Sequence, residues 1–283
     1  MANSTSTDKT TRWQQIEQIW KDYILEYGVL AIVFFIVLGF WVFGDNLFDM
    51  LDNRLGYVTN VFTELLSIVI TVFVLDRLNA RRQDKQELTR LKALLGSNES
   101  VVTKIAVAEL KAKGWLEDGS LKGANLANAN LAGARLYNAN LEGADLPFAN
   151  LESTKLWFAN LENVNLESAK LNGANLWNTN LQGVSLSNAE LEGADLSGVN
   201  LQDGCLQATN FKNTSLQNTN LQYALLDRVN LQGASLVDAN LQGAILWSVI
   251  CDERTILPNG EYWTEDVDWS KFGTVKTTFM ISV

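Results

Sequence analysis

The residue that most suggests chemistry is a carboxylate inside an apolar run. Glu64 lies near the middle of residues 55–75, LGYVTNVFTELLSIVITVFVL. A carboxylate buried in a membrane either lines a path for ions or protons or packs against polar groups of a neighbouring helix. Polar side chains at three- and four-residue steps share its helical face and form an intramembrane polar stripe: Tyr57, Asn60, Glu64, Ser67 and Thr71. Because one carboxylate has no relay partner, we interpret the stripe as a contact with another copy or another membrane subunit.

The amino-acid composition excludes most familiar catalytic and metal sites. The 283 residues include no histidine, which excludes a histidine base, a Ser-His-Asp triad and a histidine metal ligand. The two cysteines, Cys205 and Cys251, lack the spacing of a zinc or redox motif. A net charge of −10 opposes binding to nucleic acid, which requires cations against phosphates. We therefore expect no enzyme activity, no metal and no cofactor.

Most of the second half of the chain repeats every five residues. Every fifth residue from Leu121 to Leu246 is leucine, except Phe211, and the residue two before each of them is small. Residues two apart in an extended chain point the same way, so both face inward, and the remaining residue requires a bend. A period of five fits neither an α-helix nor a coiled coil. The pattern predicts a solenoid whose coils stack leucine on leucine.

The repeats match a known pattern. Segments such as ANLAN at 124–128 and ADLSG at 194–198 fit A(D/N)LXX, so the chain resembles the pentapeptide repeat family. The resemblance implies an all-β quadrilateral right-handed β-helix with four repeats per coil, and hence a rod roughly 30 Å long. The segments TELLSIVITVFVLDRLNARR and GWLEDGSL also resemble a membrane-linked subgroup that is common in cyanobacteria.

Four repeats per coil would place residues twenty apart on one face of the rod. One face then carries a column of asparagines, which we interpret as a structural ladder that ties coil to coil: Asn140, Asn160, Asn180, Asn200, Asn220 and Asn240. The adjoining face carries large aromatic side chains with two cations beside them, and this set is our candidate partner surface: Tyr137, Trp157, Phe158, Trp177, Arg135 and Lys155. Such apolar patches mark interfaces, unless the connecting helices or the C-terminal tail fold back over them.

Two apolar segments predict a membrane anchor. Residues 27–44, YGVLAIVFFIVLGFWVFG, carry no charge and as a helix would cover roughly 27 Å, enough to cross a bilayer core. Residues 55–75 form the second predicted span. Cations crowd the chain after it: Arg77, Arg81, Arg82, Lys85, Arg90 and Lys92. The positive-inside rule therefore predicts both termini in the cytoplasm. The cyanobacterial resemblance implies the plasma or the thylakoid membrane.

The predicted organisation is an α-helical two-span anchor and short connecting helices followed by the β-helix. The segments are 1–26, an amphipathic N-terminal segment; 27–76, the transmembrane hairpin; 77–116, cytoplasmic connecting helices; 117–251, the repeats; and 252–283, a C-terminal cap. This organisation favours a non-catalytic scaffold or accessory subunit of a membrane complex, in contact with membrane lipid and with a protein partner on the rod. An oligomeric ion or proton channel, or a transporter accessory, that uses Glu64 is the alternative, and an inhibitor that acts as an acidic DNA mimic is a further one.

Overall fold

A computed structural model describes residues 55–275, with side chains from Thr63 onward. The chain divides into two compact units, Met1–Lys85 and Gln86–Val283. The predicted first span and the amphipathic N-terminal segment lie outside the described residues.

The first described element is α1, Leu55–Leu95, a single helix through the predicted second span and the first part of the predicted connecting helices. No glycine or proline interrupts residues 57–95, so nothing in the backbone ends the helix before Gly96. Within the described part of the chain, no helix combines the length and the apolar character that crossing a membrane requires. The two-span hairpin at 27–76 therefore stays a prediction.

The second helix, α2, spans Ser100–Ala112. The N-cap residue is Glu99, whose side chain makes no capping hydrogen bond, while Ser97 Oγ accepts from the Glu99 N–H at 3.1 Å. At the other end, Gly114 has a φ of 72° and the Trp115 N–H donates to the Leu110 carbonyl at 2.9 Å, as in a glycine C-cap. Leu91, Leu95, Ala106 and Leu110 of the two helices join the core of the rod.

The repeats form the predicted solenoid. Parallel bridges join residues twenty apart, from Asn125 with Asp145 onward along the rod. In each repeat the second residue after the leucine has a positive φ, for example 59° at Gly123 and 61° at Asn128, and this residue makes the bend that the five-residue period required. Two neighbouring sides are regular enough to count as strands, β1 Leu225–Asp227 and β2 Ile245–Trp247, which pair in parallel.

Leucines and small residues fill the interior of the rod. Each leucine of the five-residue period is buried, and Phe211 replaces one of them with no exposed surface. Where the small inward residue is threonine, its hydroxyl donates to a leucine carbonyl of the previous coil, as Thr154 Oγ1 does to Leu131 O at 2.9 Å and Thr179 Oγ1 to Leu156 O at 2.8 Å. Each buried inward threonine therefore has a carbonyl that accepts from it.

Both ends of the rod are closed by non-repeat segments. At the N-terminal end the Leu116 carbonyl accepts from the Asn140 N–H at 2.9 Å, and Leu116 is buried. At the C-terminal end the spacing changes, since Ser235 pairs with Ile256 and Ile245 pairs with Val275. A 3-10 helix at Trp269–Phe272 buries Trp269 against the core. These contacts cover the last leucines and the open backbone edge.

Candidate interaction surface

The aromatic face begins with two stacked rings. Parallel pairing places Tyr137 and Trp157 one coil apart, and their rings stack with centroids 5.2 Å apart and planes 4° apart. On the outer side of this pair, Lys111 Nζ of α2 lies 3.9 Å from the Tyr137 ring centroid. Helix α2 therefore contacts the Tyr137 end of the face, and both stacked rings are only partly exposed.

Trp177 does not extend the stack. It meets Phe158 edge to face instead, with ring centroids 4.9 Å apart and planes 69° apart. Phe158 is 51% exposed and Trp177 44% exposed, so this half of the face is open. Between the two tryptophans lies a hollow of about 350 Å³, whose wall also includes Phe158, Asn175 and Asp195.

Phe158 occupies the bend position with a φ of 59°, where most repeats have glycine, asparagine, aspartate or serine. A bulky side chain in the left-handed region costs about 1–2 kcal/mol. Phe148 and Tyr223 share this conformation, each with a φ of 59°, but only Phe158 belongs to the aromatic face. A strained residue that exposes its ring at the edge of a hollow is a reason to consider a binding role.

The candidate partner surface also carries two cations. Arg135 and Lys155 are bridge partners on adjacent coils, and both are exposed. Lys155 Nζ is 5.8 Å from the Trp157 ring centroid. Arg135 also lines a second, larger groove of about 590 Å³ between α2 and the rod, together with Lys104, Lys111 and Tyr137. Sequence reasoning missed Lys104 and Lys111, because no local pattern says which side of the rod α2 packs against.

The asparagine column lies on the neighbouring face. The Asn180 amide donates to Asn160 Oδ1 at 3.2 Å, Asn200 donates to Asn180 at 3.2 Å, and Asn220 donates to Asn200 at 3.0 Å. Each asparagine of the column, from Asn140 to Asn240, also accepts from the backbone N–H two residues on, at 3.1–3.3 Å. Each amide oxygen of the column is thus engaged within the rod, and the amides of Asn180, Asn200 and Asn220 also donate to the coil before, so we interpret the column as structural.

Of the predicted intramembrane stripe, Tyr57 and Asn60 belong to α1, but their side chains lie outside those described. Glu64, Ser67 and Thr71 are exposed, and Thr71 Oγ1 donates to the Ser67 carbonyl at 2.7 Å. Large apolar side chains of the same helix are exposed as well: Leu65, Ile68, Val69, Val72, Val74, Leu75 and Leu78.

The other titratable groups show no catalytic arrangement. Burial raises the pKa of the Cys251 thiol to about 12, so this thiol stays protonated at neutral pH. Cys205 lies apart from it, with its sulfur 3.3 Å from Ser187 Oγ. Among the described residues, no group of three or more histidine, cysteine, aspartate or glutamate side chains could hold a metal ion.

Comparisons with known proteins agree with the coil geometry. The family model for pentapeptide repeats matches residues 120–157, 159–198, 178–213 and 209–247. A pentapeptide repeat protein of Nostoc Pcc 7120 is 35% identical over 37% of this chain and 82% of its own, with a TM-score of 0.32. The chain belongs to the pentapeptide repeat family. This pentapeptide repeat protein thus has the repeat architecture of its family.

Two further solved pentapeptide repeat proteins are similar. HetL of Nostoc sp. strain PCC 7120, described as involved in the regulation of heterocyst differentiation, is 25% identical over 50% of this chain and 86% of its own, with a TM-score of 0.17. QnrB1, a plasmid-mediated fluoroquinolone resistance protein, is 18% identical over 48% of this chain and 66% of its own, with a TM-score of 0.31. Among curated proteins, none matches this pentapeptide repeat protein.

Proposed function

We propose that this pentapeptide repeat protein is a membrane-tethered, non-catalytic scaffold that binds a protein partner through the open half of its aromatic face. The observation that carries the proposal is the exposed pair of Phe158 and Trp177 beside the hollow. Outward positions of a soluble rod favour polar residues, and exposed aromatic rings in register are typical of binding hot spots. The strained φ of Phe158 supports the same interpretation, because folding alone would favour glycine at that position.

The tether is the less direct part of the proposal. It rests on the uncharged segment 27–44, on the cations that follow residue 76, and on the exposed apolar side chains of α1 between Leu65 and Leu78. Water does not favour such a run of exposed aliphatic side chains on one helix, whereas lipid or another subunit would cover it. We propose both termini in the cytoplasm.

A DNA-mimic role gains less support. A mimic requires a continuous acidic surface, whereas several carboxylates of the rod pair with cations, such as Glu142 with Lys122 at 2.7 Å and Glu192 with Lys212 at 3.6 Å. The likeness to QnrB1 is a likeness of fold. A channel using Glu64 has no second carboxylate on the polar stripe to relay a proton.

The test is purification from the native membrane in mild detergent, with and without the double substitution Trp157→Ala and Trp177→Ala. We expect the wild-type chain in the membrane fraction with a defined partner, and we expect the double variant to lose that partner while it keeps its melting temperature within a few degrees. Wild-type chain in the soluble fraction would contradict the tether. A partner that stays bound to the double variant would contradict the binding surface.

A further inference from the structure

The groove between α2 and the rod concentrates positive charge on an acidic protein. Its walls carry Lys104 and Lys111 from the helix and Arg135 from the coil, and Lys155 lies one coil beyond Arg135. Lys104 Nζ reaches the corner at Gly133, where an added Cβ would lie only 3.7 Å from it. The chain as a whole has a net charge of −10, so this local excess of cations runs against the general charge of the molecule.

These cations have no carboxylate partner within residues 63–275. The ion pairs of the described rod use other cations, such as Lys122 with Glu142 and Lys212 with Glu192. Glu109 of α2 points its carboxylate to Arg90, 2.7 Å away, and not into the groove. Adjacent like charges repel each other, and an incoming anion would relieve that repulsion. The groove therefore favours an acidic occupant, whose carboxylates would neutralise these cations.

The rest of the groove is apolar and rigid. Val107 is buried in the core, and Ala108, Ala112 and Ala134 also line the groove. At its mouth, the Lys111 ammonium lies over the Tyr137 ring, which holds the cation in place but leaves hydrogens free to donate. A volume of about 590 Å³ is in the range that binds a few side chains of a peptide.

We propose that this groove binds an acidic, amphipathic peptide segment of the protein partner, with carboxylates on Lys104, Lys111 and Arg135 and apolar side chains against Val107 and Ala134. The inference rests on the proposed function, because the groove and the aromatic face share Arg135 and Tyr137. A concave groove walled by a helix and a coil fits a peptide better than a flat bilayer surface. Arginine in addition favours bidentate contact with a carboxylate.

The experiment measures fluorescence anisotropy of a labelled peptide of alternating glutamate pairs and leucine or phenylalanine, added to the full-length chain in detergent micelles. We expect binding that weakens with salt, and at least a roughly tenfold loss of affinity in the double variant Lys104→Gln and Arg135→Gln, because two charge-assisted hydrogen bonds are lost. A peptide with glutamine in place of every glutamate should not bind.

Three further variants separate a specific groove from general charge. Lys212→Gln removes a cation elsewhere on the rod and should leave the affinity unchanged, and Trp177→Ala should leave it unchanged as well, since Trp177 lies outside the groove. Gly133→Asn keeps the positive φ but adds a side chain at Lys104, and it should weaken binding without a change of charge.

The proposal is overturned if the glutamine peptide binds equally well, or if Lys212→Gln weakens binding as much as the groove substitutions do. It is also overturned if phosphatidylglycerol vesicles, and not the acidic peptide, bind in a manner that depends on Lys104 and Arg135, since the groove would then be a lipid site. A native partner that stays bound to the tryptophan variants, with peptide binding intact, would overturn the proposed function and leave the groove standing by itself, so the two proposals fail separately.

Discussion

Two faces of the rod, the asparagine face and the aromatic face, share the same twenty-residue register. They differ in extent and in what their side chains contact. The asparagine face runs from Asn140 to Asn240, and each amide bonds within the rod. The aromatic face is confined to Tyr137, Trp157, Phe158 and Trp177. The rings of Phe158 and Trp177 are exposed to solvent. The same backbone supports both faces.

The difference indicates how structure and function divide in a repeat protein. A device that holds coils together is needed at each coil, so it repeats along the whole rod. A binding surface is needed only where the partner binds. It therefore replaces polar outward residues over a few coils and leaves the five-residue period unchanged. Phe158 makes this division explicit, because it occupies a bend position at a cost in strain that glycine would avoid.

The largest expected effect comes from breaking the asparagine face. Asn180→Ala removes two side-chain hydrogen bonds between coils, one to Asn160 and one from Asn200, at 3.2 Å each. It also removes the hydrogen bond that Asn180 Oδ1 accepts from the Gln182 N–H at 3.3 Å. With about 1 kcal/mol net for each bond, we expect the free energy of unfolding to fall by about 2–3 kcal/mol, and partner binding to persist. Urea denaturation measures this change.

Gln182→Ala is the matched control, because only the backbone of Gln182 takes part in the column. We expect it to change the free energy of unfolding by less than about 0.5 kcal/mol. If both variants lose equal stability, the amide column is not what ties the coils together, and the contrast between the two faces would fail.

A smaller effect separates the middle of the rod from its C-terminal end. Asparagine amides do not titrate, but at the last coil a carboxylate joins two coils. Asp252 Oδ1 accepts from the Gly233 N–H at 2.8 Å, where earlier coils use a backbone carbonyl, and Oδ2 accepts from Arg254 Nη2 at 2.6 Å. Partial burial alone would raise the pKa of Asp252, but these hydrogen bonds and the charge of Arg254 outweigh it and hold the pKa below its usual range.

A lowered pKa in the folded state means that the ionised Asp252 stabilises the fold above the pKa of the unfolded chain, about 3.9. This stability is lost as the pH falls through the folded-state pKa. We therefore expect Asp252→Asn to lower the free energy of unfolding by about 1–2 kcal/mol at neutral pH, with the difference vanishing in acid. Thermal melts across the pH range measure it. Asp238→Asn, whose carboxylate forms no hydrogen bond in the described structure, should leave the melting temperature at neutral pH near that of the wild type.

The sequence predicts the rod better than it predicts what packs against it. The five-residue period determines the inward leucines, the bend and the columns, because each repeat carries the same local signal many times over. The side of the rod that α2 covers depends on long-range contacts of Ala106, Val107 and Leu110. The sequence of the helix alone does not determine these contacts. The turn of Trp177 away from the Tyr137–Trp157 stack is a rotamer choice, and residue type does not determine it.

The smallest expected effect tests whether strain is retained for binding. Phe148 and Phe158 share a φ of 59°, but only Phe158 contacts another ring of the aromatic face. Phe148→Gly relieves about 1–2 kcal/mol of strain and loses part of that gain to the greater freedom of glycine in the unfolded chain. We expect a net gain of about 0.5–1 kcal/mol in the free energy of unfolding, with partner binding intact.

Phe158→Gly also loses the edge contact with Trp177, worth about 0.5–1.5 kcal/mol, so its stability should stay near wild type while partner binding falls. Urea denaturation and partner co-purification measure the two outcomes. Equal partner binding by both variants would mean that the ring of Phe158 is an ordinary surface residue.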